Sequence, residues 1–432
     1  MQRAFVLDCE RKPLMPCHPA RAKELLEKGK AAVFRRYPFT IILKGRTGGG
    51  VQPVAFKADP GSKTTGVALV ADFKRGKTVI WATELEHRGG TIRDALLSRR
   101  ALRRGRRSRK CRYRKPRFDN RRRPQGWLPP SLESRVSNIE TWLSRIRKST
   151  PVSSVSMELA KFDAQKMENP EISGVEYQQG ELEGYEVREY LLEKWGRKCA
   201  YCKAANVPLE VEHVVPKSRG GSNRVSNLTL ACHPCNEKKG QKTATEFGHP
   251  EVQAKAGGSL KDAAAMNATR WALYERLKKT GLPIECGTGG RTKFNRTRLG
   301  LPKAHWIDAA CVGMSGQSVI VPNLLPLRVK AIGHGRRQRC LTDAFGFPKA
   351  HAKRAKTFQG WRSGDVARAV IPKGKHAGVI VGRVAIRHRP SFRIGKIDVH
   401  SKHLIRLHCA DGYEYSGGTR LLPGLKSGVP AA

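Results

Sequence analysis

The sequence is short of acid. Across 432 residues, 36 Asp and Glu stand against 83 Lys and Arg, leaving a formal net charge of +47 and a pI near 10.5. A surplus that large goes beyond what solubility needs and points to a polyanionic partner. Long apolar runs are missing too. No stretch approaches the ~20 residues that span a bilayer, and Met1 to Glu10 has no apolar core of a secretion signal, so no membrane partner is expected. Of eleven cysteines, Cys9, Cys17, Cys111, Cys286, Cys311, Cys340 and Cys409 show no pairing pattern. That argues against a disulfide framework and fits reduced thiols. With 39% hydrophobic residues, the chain can hold roughly two to four domains with real cores.

The remaining four cysteines form two C-x-x-C pairs, Cys199 with Cys202 and Cys232 with Cys235. Four thiolates on two knuckles make a closed tetrahedral Zn²⁺ site, structural because no position is left for water or substrate. Between the pairs, apolar residues alternate from Leu209 to Val215 and place His213 near a strand end, before a Gly-rich turn. Glu212 adjoins this imidazole, and Asn236 follows the last cysteine. His213 can deprotonate water while Glu212 and Asn236 offer hard oxygen ligands to Mg²⁺. The competing reading is a plain zinc ribbon with a buried histidine. The order of Cys pairs, Glu-His, Asn227-Leu228 and Asn236 resembles the HNH (ββα-metal) endonucleases over roughly forty residues. Those enzymes often carry Asp where this chain has Glu212.

Upstream, Ala4–Leu7 reads as a strand, Pro13-Leu14-Met15-Pro16 as a rigid turn, and the segment after Pro19 as a helix ended by Gly29. A second strand from Ala31 to Leu43 completes a small β-α-β unit. Val54–Val70 reads as strand, turn, strand with Asp59 at the end of the first, and Thr78–Leu85 as a third strand. From Thr91 to Arg123, sixteen of thirty-three residues are Lys or Arg, and few breakers precede Pro116. We expect one helix that grips nucleic acid through Arg99, Arg100, Arg103, Arg104, Arg106, Arg107, Arg109 and Lys110, because so many like charges need neutralising. A disordered basic tail is the bland alternative, but this segment lies inside the chain.

Leu132–Ile146 is amphipathic. Val152, Val155 and Met157 lead along a buried strand into Glu158, a carboxylate that is costly there unless a cation or donor meets it. Glu168–Gly184 reads as a hinge. A later helix has Leu260, Ala264, Trp271, Tyr274 and Leu277 on one face, followed by a strand at Pro283–Cys286 and a basic loop at Gly289–Arg296. His305 and Asp308, three apart, project from one helix face. Beyond Met314 the chain is strand-rich, at Leu327–Ile332, Asp365–Ile371, Ala377–Arg387 and His403–His408, as in small antiparallel barrels. Basic patches lie at His334–Arg339 and Arg387–Arg389.

Asp59, Glu158, His305 and Asp308 fall in the order of a RuvC-type nuclease core, where carboxylates brought to one point suit two Mg²⁺ ions. With the Pro-Leu-Met-Pro module in front, the arginine helix in the first gap and the HNH-like module in the second, the chain resembles the IscB family of transposon-encoded RNA-guided DNA endonucleases. The resemblance implies a multidomain α/β protein: an RNase H-like (RuvC) core split in three segments, an inserted ββα-metal HNH domain with a four-cysteine zinc site, and a C-terminal small β-barrel-like domain. The expected boundaries are 1–50 for the N-terminal module, 51–90, 126–167 and 249–316 for the core segments, 91–125 for the bridge helix, 168–248 for linkers and HNH domain, and 317–432 for the C-terminal domain.

By the same resemblance the partners are a structured guide RNA and double-stranded DNA with a short target-adjacent motif, in a monomeric ribonucleoprotein of the prokaryotic cytoplasm, near the nucleoid. The HNH site would cut the guide-paired strand and the RuvC site the displaced one, while the C-terminal part would hold RNA and read the adjacent motif. Larger relatives carry a helical recognition lobe that this chain lacks, so the RNA would supply most of its own architecture. Two other readings stay open: an RNA-independent DNA nuclease of the junction-resolving or homing type, and a non-cleaving RNA-binding protein.

Overall fold

The computed structural model describes residues 2–108, 126–159, 185–257, 261–334, 341–343, 347–350, 356–387 and 389–417. The chain divides into two units, Met1–Glu158 with Leu273–Ala432, and Leu159–Ala272. At the N-terminus, strands β1 (Ala4–Leu7), β2 (Pro13–Cys17), β3 (Ala31–Arg35) and β4 (Thr40–Leu43) form a sheet in the order β2-β1-β4-β3, with helix α1 (Pro19–Glu27) between β2 and β3. Two expectations are corrected here. Pro13–Cys17 is a strand instead of a rigid turn, and its prolines are tolerated because β2 is an edge. The single strand expected over Ala31–Leu43 is an antiparallel pair, broken around Pro38, which has no N–H for a ladder.

The next strands, β5 (Val54–Asp59), β6 (Thr64–Phe73) and β7 (Gly76–Glu86), are antiparallel neighbours. Val67–Ala71 is buried throughout, the mark of a strand covered on both faces. Helix α2 (Gly89–Ser108) follows, then α3 (Pro130–Arg147) and β8 (Val152–Glu158), which runs parallel to β5. Helix α3 covers one face. Its Trp142 is fully buried and stacks on Trp81 of β7 at 6.1 Å between ring centroids, and Phe5 closes on Trp81 at 5.6 Å.

The second unit holds α4 (Tyr185–Lys194), the hairpin strands β9 (Leu209–His213) and β10 (Leu228–Cys232), α5 (His233–Lys239) and α6 (Pro250–Ala256). Its core gathers Leu191, Leu192, Trp195, Tyr201, Leu230 and Val252. The hinge expected at Glu168–Gly184 lies outside the described residues. Helix α7 (Lys261–Lys278) leads back to the first unit, where Leu273 and Leu277 are buried. Of the residues expected on one face, Leu277 is buried and Trp271 is 42% exposed, while Leu260 lies outside the described residues; the buried stripe passes through Leu273 and Leu277 at four-residue spacing.

Strand β11 (Ile284–Gly287) pairs parallel with β8. Gly289–Arg296, expected as a loop, lies within helix α8 (Gly289–Arg298), whose Thr288 side chain accepts the Arg291 N–H as an N-cap. Helix α9 (His305–Ala310) packs Trp306, Ile307 and Ala310 against Ala68, Val70 and Ala82 on the face opposite α3. Strand β12 (Leu327–Ala331), expected in the C-terminal barrel, instead joins β7 in parallel. Beyond it come the short pairs β13 (Leu341–Thr342) with β14 (Pro348–Ala350) and β15 (Thr357–Phe358) with β16 (Trp361–Arg362).

Then follow β17 (Val366–Ile371), β18 (Gly378–Arg387), β19 (Arg389–Ile394), β20 (Ile397–His400), β21 (Leu404–His408) and β22 (Tyr413–Gly417). The last pairs with β12, giving a seven-stranded sheet in the order β11-β8-β5-β6-β7-β12-β22. Five of those strands, β11-β8-β5-β6-β7, make an RNase H-like core. The other C-terminal strands form an antiparallel sheet, β20-β19-β18-β17-β21, whose end strands are not paired to each other among the described residues, so no closed barrel is seen there.

At the end of β7, His87 lies between the Thr65 hydroxyl at 2.7 Å and the Asn138 amide at 3.3 Å. Burial, reinforced by the Arg135 guanidinium, pulls it down to about 3 from an ordinary 6.5. The unfolded state therefore binds the extra proton between those values. His87's contribution is intact above the unfolded value and is lost, by up to roughly 1.4 kcal/mol per pH unit, as pH falls below it. Urea unfolding at pH 7.5 and 5.5 should show a larger loss for the wild type than for His87→Gln, and equal losses would contradict this assignment.

Candidate active and metal-binding sites

Strands β5 and β8 end on acids. Their register sets Ala58 opposite Met157, so Asp59 and Glu158 stand side by side at the carboxyl ends of two parallel strands. Glu158 is buried and Asp59 partly so. Across the β5–β6 pair, Asp59 faces Gly66. A Cβ on Gly66 would stand 1.8 Å from the His305 carbonyl oxygen, so only glycine lets the first turn of α9 lie against the sheet here. That approach brings His305 to the Asp59 end of the sheet. Asp308, one turn on, is ion-paired at 2.8 Å with Arg296 of α8.

The four predicted residues thus gather at one region, but not as a tight cluster. Among the described residues, only the four cysteines have three or more ligand atoms within 4.8 Å of one another. Lys57, two residues before Asp59, was passed over in the sequence. It is fully buried between Phe56 and Ala58, and burial draws its ammonium down to about 8, with Glu285 opposing.

In the second unit, the Cys202 and Cys232 sulfurs are 3.6 Å apart. Sulfurs around a tetrahedral Zn²⁺ at ~2.3 Å bonds sit at about this separation, so the donor set suits that ion. Burial and the neighbouring thiols push Cys235 up to about 12. Burial also opposes ionisation of Cys199, but backbone N–H donors bring it down to about 7. Four crowded thiols cannot all ionise without a cation among them.

His213 ends β9 opposite Leu228, and its Nε2 is 3.0 Å from the Asn223 side-chain oxygen Oδ1. The predicted Asn227 pins the loop after it, accepting from the Val215 N–H and donating to the Val215 and Ser222 carbonyls, each at 2.9 Å. The Glu212 carboxylate is buried, accepting from the Tyr201 hydroxyl at 2.7 Å and from the Lys239 ammonium. Lys239 also donates to the His213 carbonyl at 2.9 Å. Asn236 turns its amide N–H to Glu210 at 2.7 Å, and His233 meets the same carboxylate at 2.9 Å. These two partners, Asn236 first, hold Glu210 below the usual carboxylate range. Glu210, Lys239 and Tyr201 were missed in the sequence. For Glu210 the signal was the period-two alternation that sets it on the face of Glu212.

On α2, Arg99, Arg100, Arg103, Arg104 and Arg107 are exposed, while the Arg106 side chain, Arg109 and Lys110 lie outside the described residues. Among the described residues, Leu97 and Leu102 of α2 are exposed at 55% and 63%.

Residues 4–180 match the RRXRR protein family, and residues 199–250 match an HNH endonuclease family. No curated protein matches the chain. Among solved structures, RuvC of T. thermophilus in complex with a Holliday junction substrate is 13% identical, covering 61% of this chain and 91% of its own, with a TM-score of 0.21. Cas9 of Streptococcus thermophilus in complex with the GGAA PAM is 14% identical, covering 60% of this chain, with a TM-score of 0.22, and the match spans only 32% of that Cas9. The Type II-C Cas9 of Actinomyces naeslundii is 14% identical, covering 66% and 50%, with a TM-score of 0.16. Superpositions that loose carry no functional weight. The two family matches stand in the order in which the motifs occur, and together with the strand topology they support a metal-dependent DNA endonuclease that joins an RNase H-like core to an HNH domain.

Proposed function

We propose that the chain is an RNA-guided DNA endonuclease whose guide RNA pairs with one target strand, with the HNH site cutting the paired strand and the RuvC-like site cutting the displaced one. The observation that carries the RNA-binding part is the exposed arginine helix α2 within the crossover between the acid-bearing strands β5 and β8. A helix with Arg99, Arg100, Arg103, Arg104 and Arg107 exposed suits a phosphate backbone lying along it. In this reading the C-terminal sheet contacts RNA and the target-adjacent motif.

At the HNH site, His213 takes a proton from the attacking water, and Asn227 holds the loop that orients it. Glu212 and Asn236 are the proposed Mg²⁺ ligands, Glu212 sharing its carboxylate with Lys239. At the RuvC-like site, Asp59, Glu158 and Asp308 would hold Mg²⁺, with His305 at the rim for proton transfer. Mg²⁺ in these sites supplies charge stabilisation for phosphodiester hydrolysis. Cys199, Cys202, Cys232 and Cys235 hold structural Zn²⁺.

Sequencing the nucleic acid that co-purifies with the protein tests guidance. One abundant RNA with a constant structured part and a variable end is expected, whereas heterogeneous nucleic acid released by moderate salt would sink the proposal. On a target matched to that RNA, His213→Ala should slow paired-strand cleavage by about 10²- to 10⁴-fold and spare the other strand. Asp59→Ala should do the converse, and cleavage of both strands by either variant at the wild-type rate would remove its assignment. One zinc per chain is expected by elemental analysis. Stripping it with phenanthroline should open residues 199–250 to protease, and an unchanged digestion pattern in zinc-free protein would exclude a structural metal.

A further inference from the structure

Lys57 is the least expected residue in β5. Val54, Phe56 and Ala58 around it are fully buried, and so is Lys57. A buried ammonium is costly unless partners meet it. Here it donates to the Val312 carbonyl at 2.8 Å and to the Ser315 hydroxyl at 2.5 Å. Ser315 in turn gives its hydroxyl and its backbone N–H, the latter at 2.9 Å, to Glu285 of β11. Ser156 of β8 donates to the same carboxylate at 2.8 Å. One buried network therefore joins β5, β8 and β11 to the segment that directly follows α9.

That segment and α9 are fixed by core packing and by a few polar ties. Helix α9 is six residues long, too short to hold itself. Its first turn rests on Gly66, and its far end is tied by the network and by Asn295, which donates to the Cys311 and Gly313 carbonyls at 2.9 and 2.8 Å. Gly313, at φ +74°, packs so closely on Glu285 that a Cβ would meet the carboxylate carbon at 2.4 Å. Lys57 and Asp59 are two apart on one strand and so share a face.

We propose that Lys57 is a positioning residue for the RuvC-like site, its buried ammonium gripping the Val312–Ser315 segment so that α9 presents His305 and Asp308 beside Asp59 and Glu158. This rests on the reading of Asp59 as part of a nuclease site. A displacement on the order of 1 Å costs about 100-fold in rate at such a site.

The test uses the full RNA-loaded protein with strand-specific end labels. Lys57→Met should slow displaced-strand cleavage about 100-fold and leave paired-strand cleavage and DNA binding unchanged. Ser315→Ala, a milder change, should shift the same strand in the same direction. Amide exchange should quicken at His305–Ala310 in both variants while β6 stays protected. Parallel slowing of both strands, or of neither, overturns the proposal, and Ser315→Ala decides if Lys57→Met does not fold. Asp59→Ala is the control for the underlying reading. If it slows neither strand, the site assignment fails, and exchange at α9 then decides the grip of Lys57 on its own. If it slows one strand while Lys57→Met and Ser315→Ala slow neither, only the positioning role fails.

Discussion

Parallel pairing of β5, β8 and β11 is the constraint on which this molecule's organisation depends. Parallel neighbours need a crossover, and a crossover has room. The antiparallel run β5-β6-β7 turns back through residues 60–63 and 74–75 and leaves no space for insertion. The first crossover accordingly carries α2 and α3, and the second carries the whole unit with the cysteine cluster and His213. The same parallel register sends Asp59 and Glu158 to one end of the sheet, where separate pieces of sequence can share a site.

Electrostatics explain why α2 makes sense only with a partner. Arg93 meets Asp94 at 3.4 Å on the open surface, and an exposed pair of that kind contributes ~0–1 kcal/mol. Arg99, Arg100, Arg103, Arg104 and Arg107 follow, all exposed. The overall charge of +47 repeats the imbalance on the scale of the chain. In the proposed complex phosphate groups neutralise it and salt competes with them, so affinity for nucleic acid should fall steeply as ionic strength rises.

Much of this was legible in the sequence where spacing alone encodes geometry. The two C-x-x-C pairs, Asp59 and Glu158 at strand ends, and the arginine helix through Ser108 all stand where local pattern placed them. What local pattern cannot carry is pairing between distant segments. Leu327–Ala331 reads as one strand among many, and only its parallel register with β7 puts it in the core sheet. Gly289 and Gly290 suggest a loop, yet the Thr288 cap starts a helix through them. Glu212 is read beside His213 from the sequence, but nothing local shows that Lys239, 27 residues later, is buried against it.

Lys57 and Lys239 show the same physics in both units. Each ammonium is fully buried and each is tied into a network with a glutamate, Glu285 through Ser315 in one case and Glu212 directly in the other. Desolvation offsets much of the Coulomb gain in such networks, so net stability does not account for them. The third partner differs from an ordinary ion pair. Lys57 donates to the Val312 carbonyl behind α9, and Lys239 donates to the carbonyl of His213 itself. A carbonyl accepts along a preferred direction, so an ammonium fixed by a carboxylate or hydroxyl on one side holds the backbone on the other. In each unit that backbone carries the proposed proton-transfer histidine or directly follows the helix that does, which links the cost of burying the charge to the placement of His305 and His213.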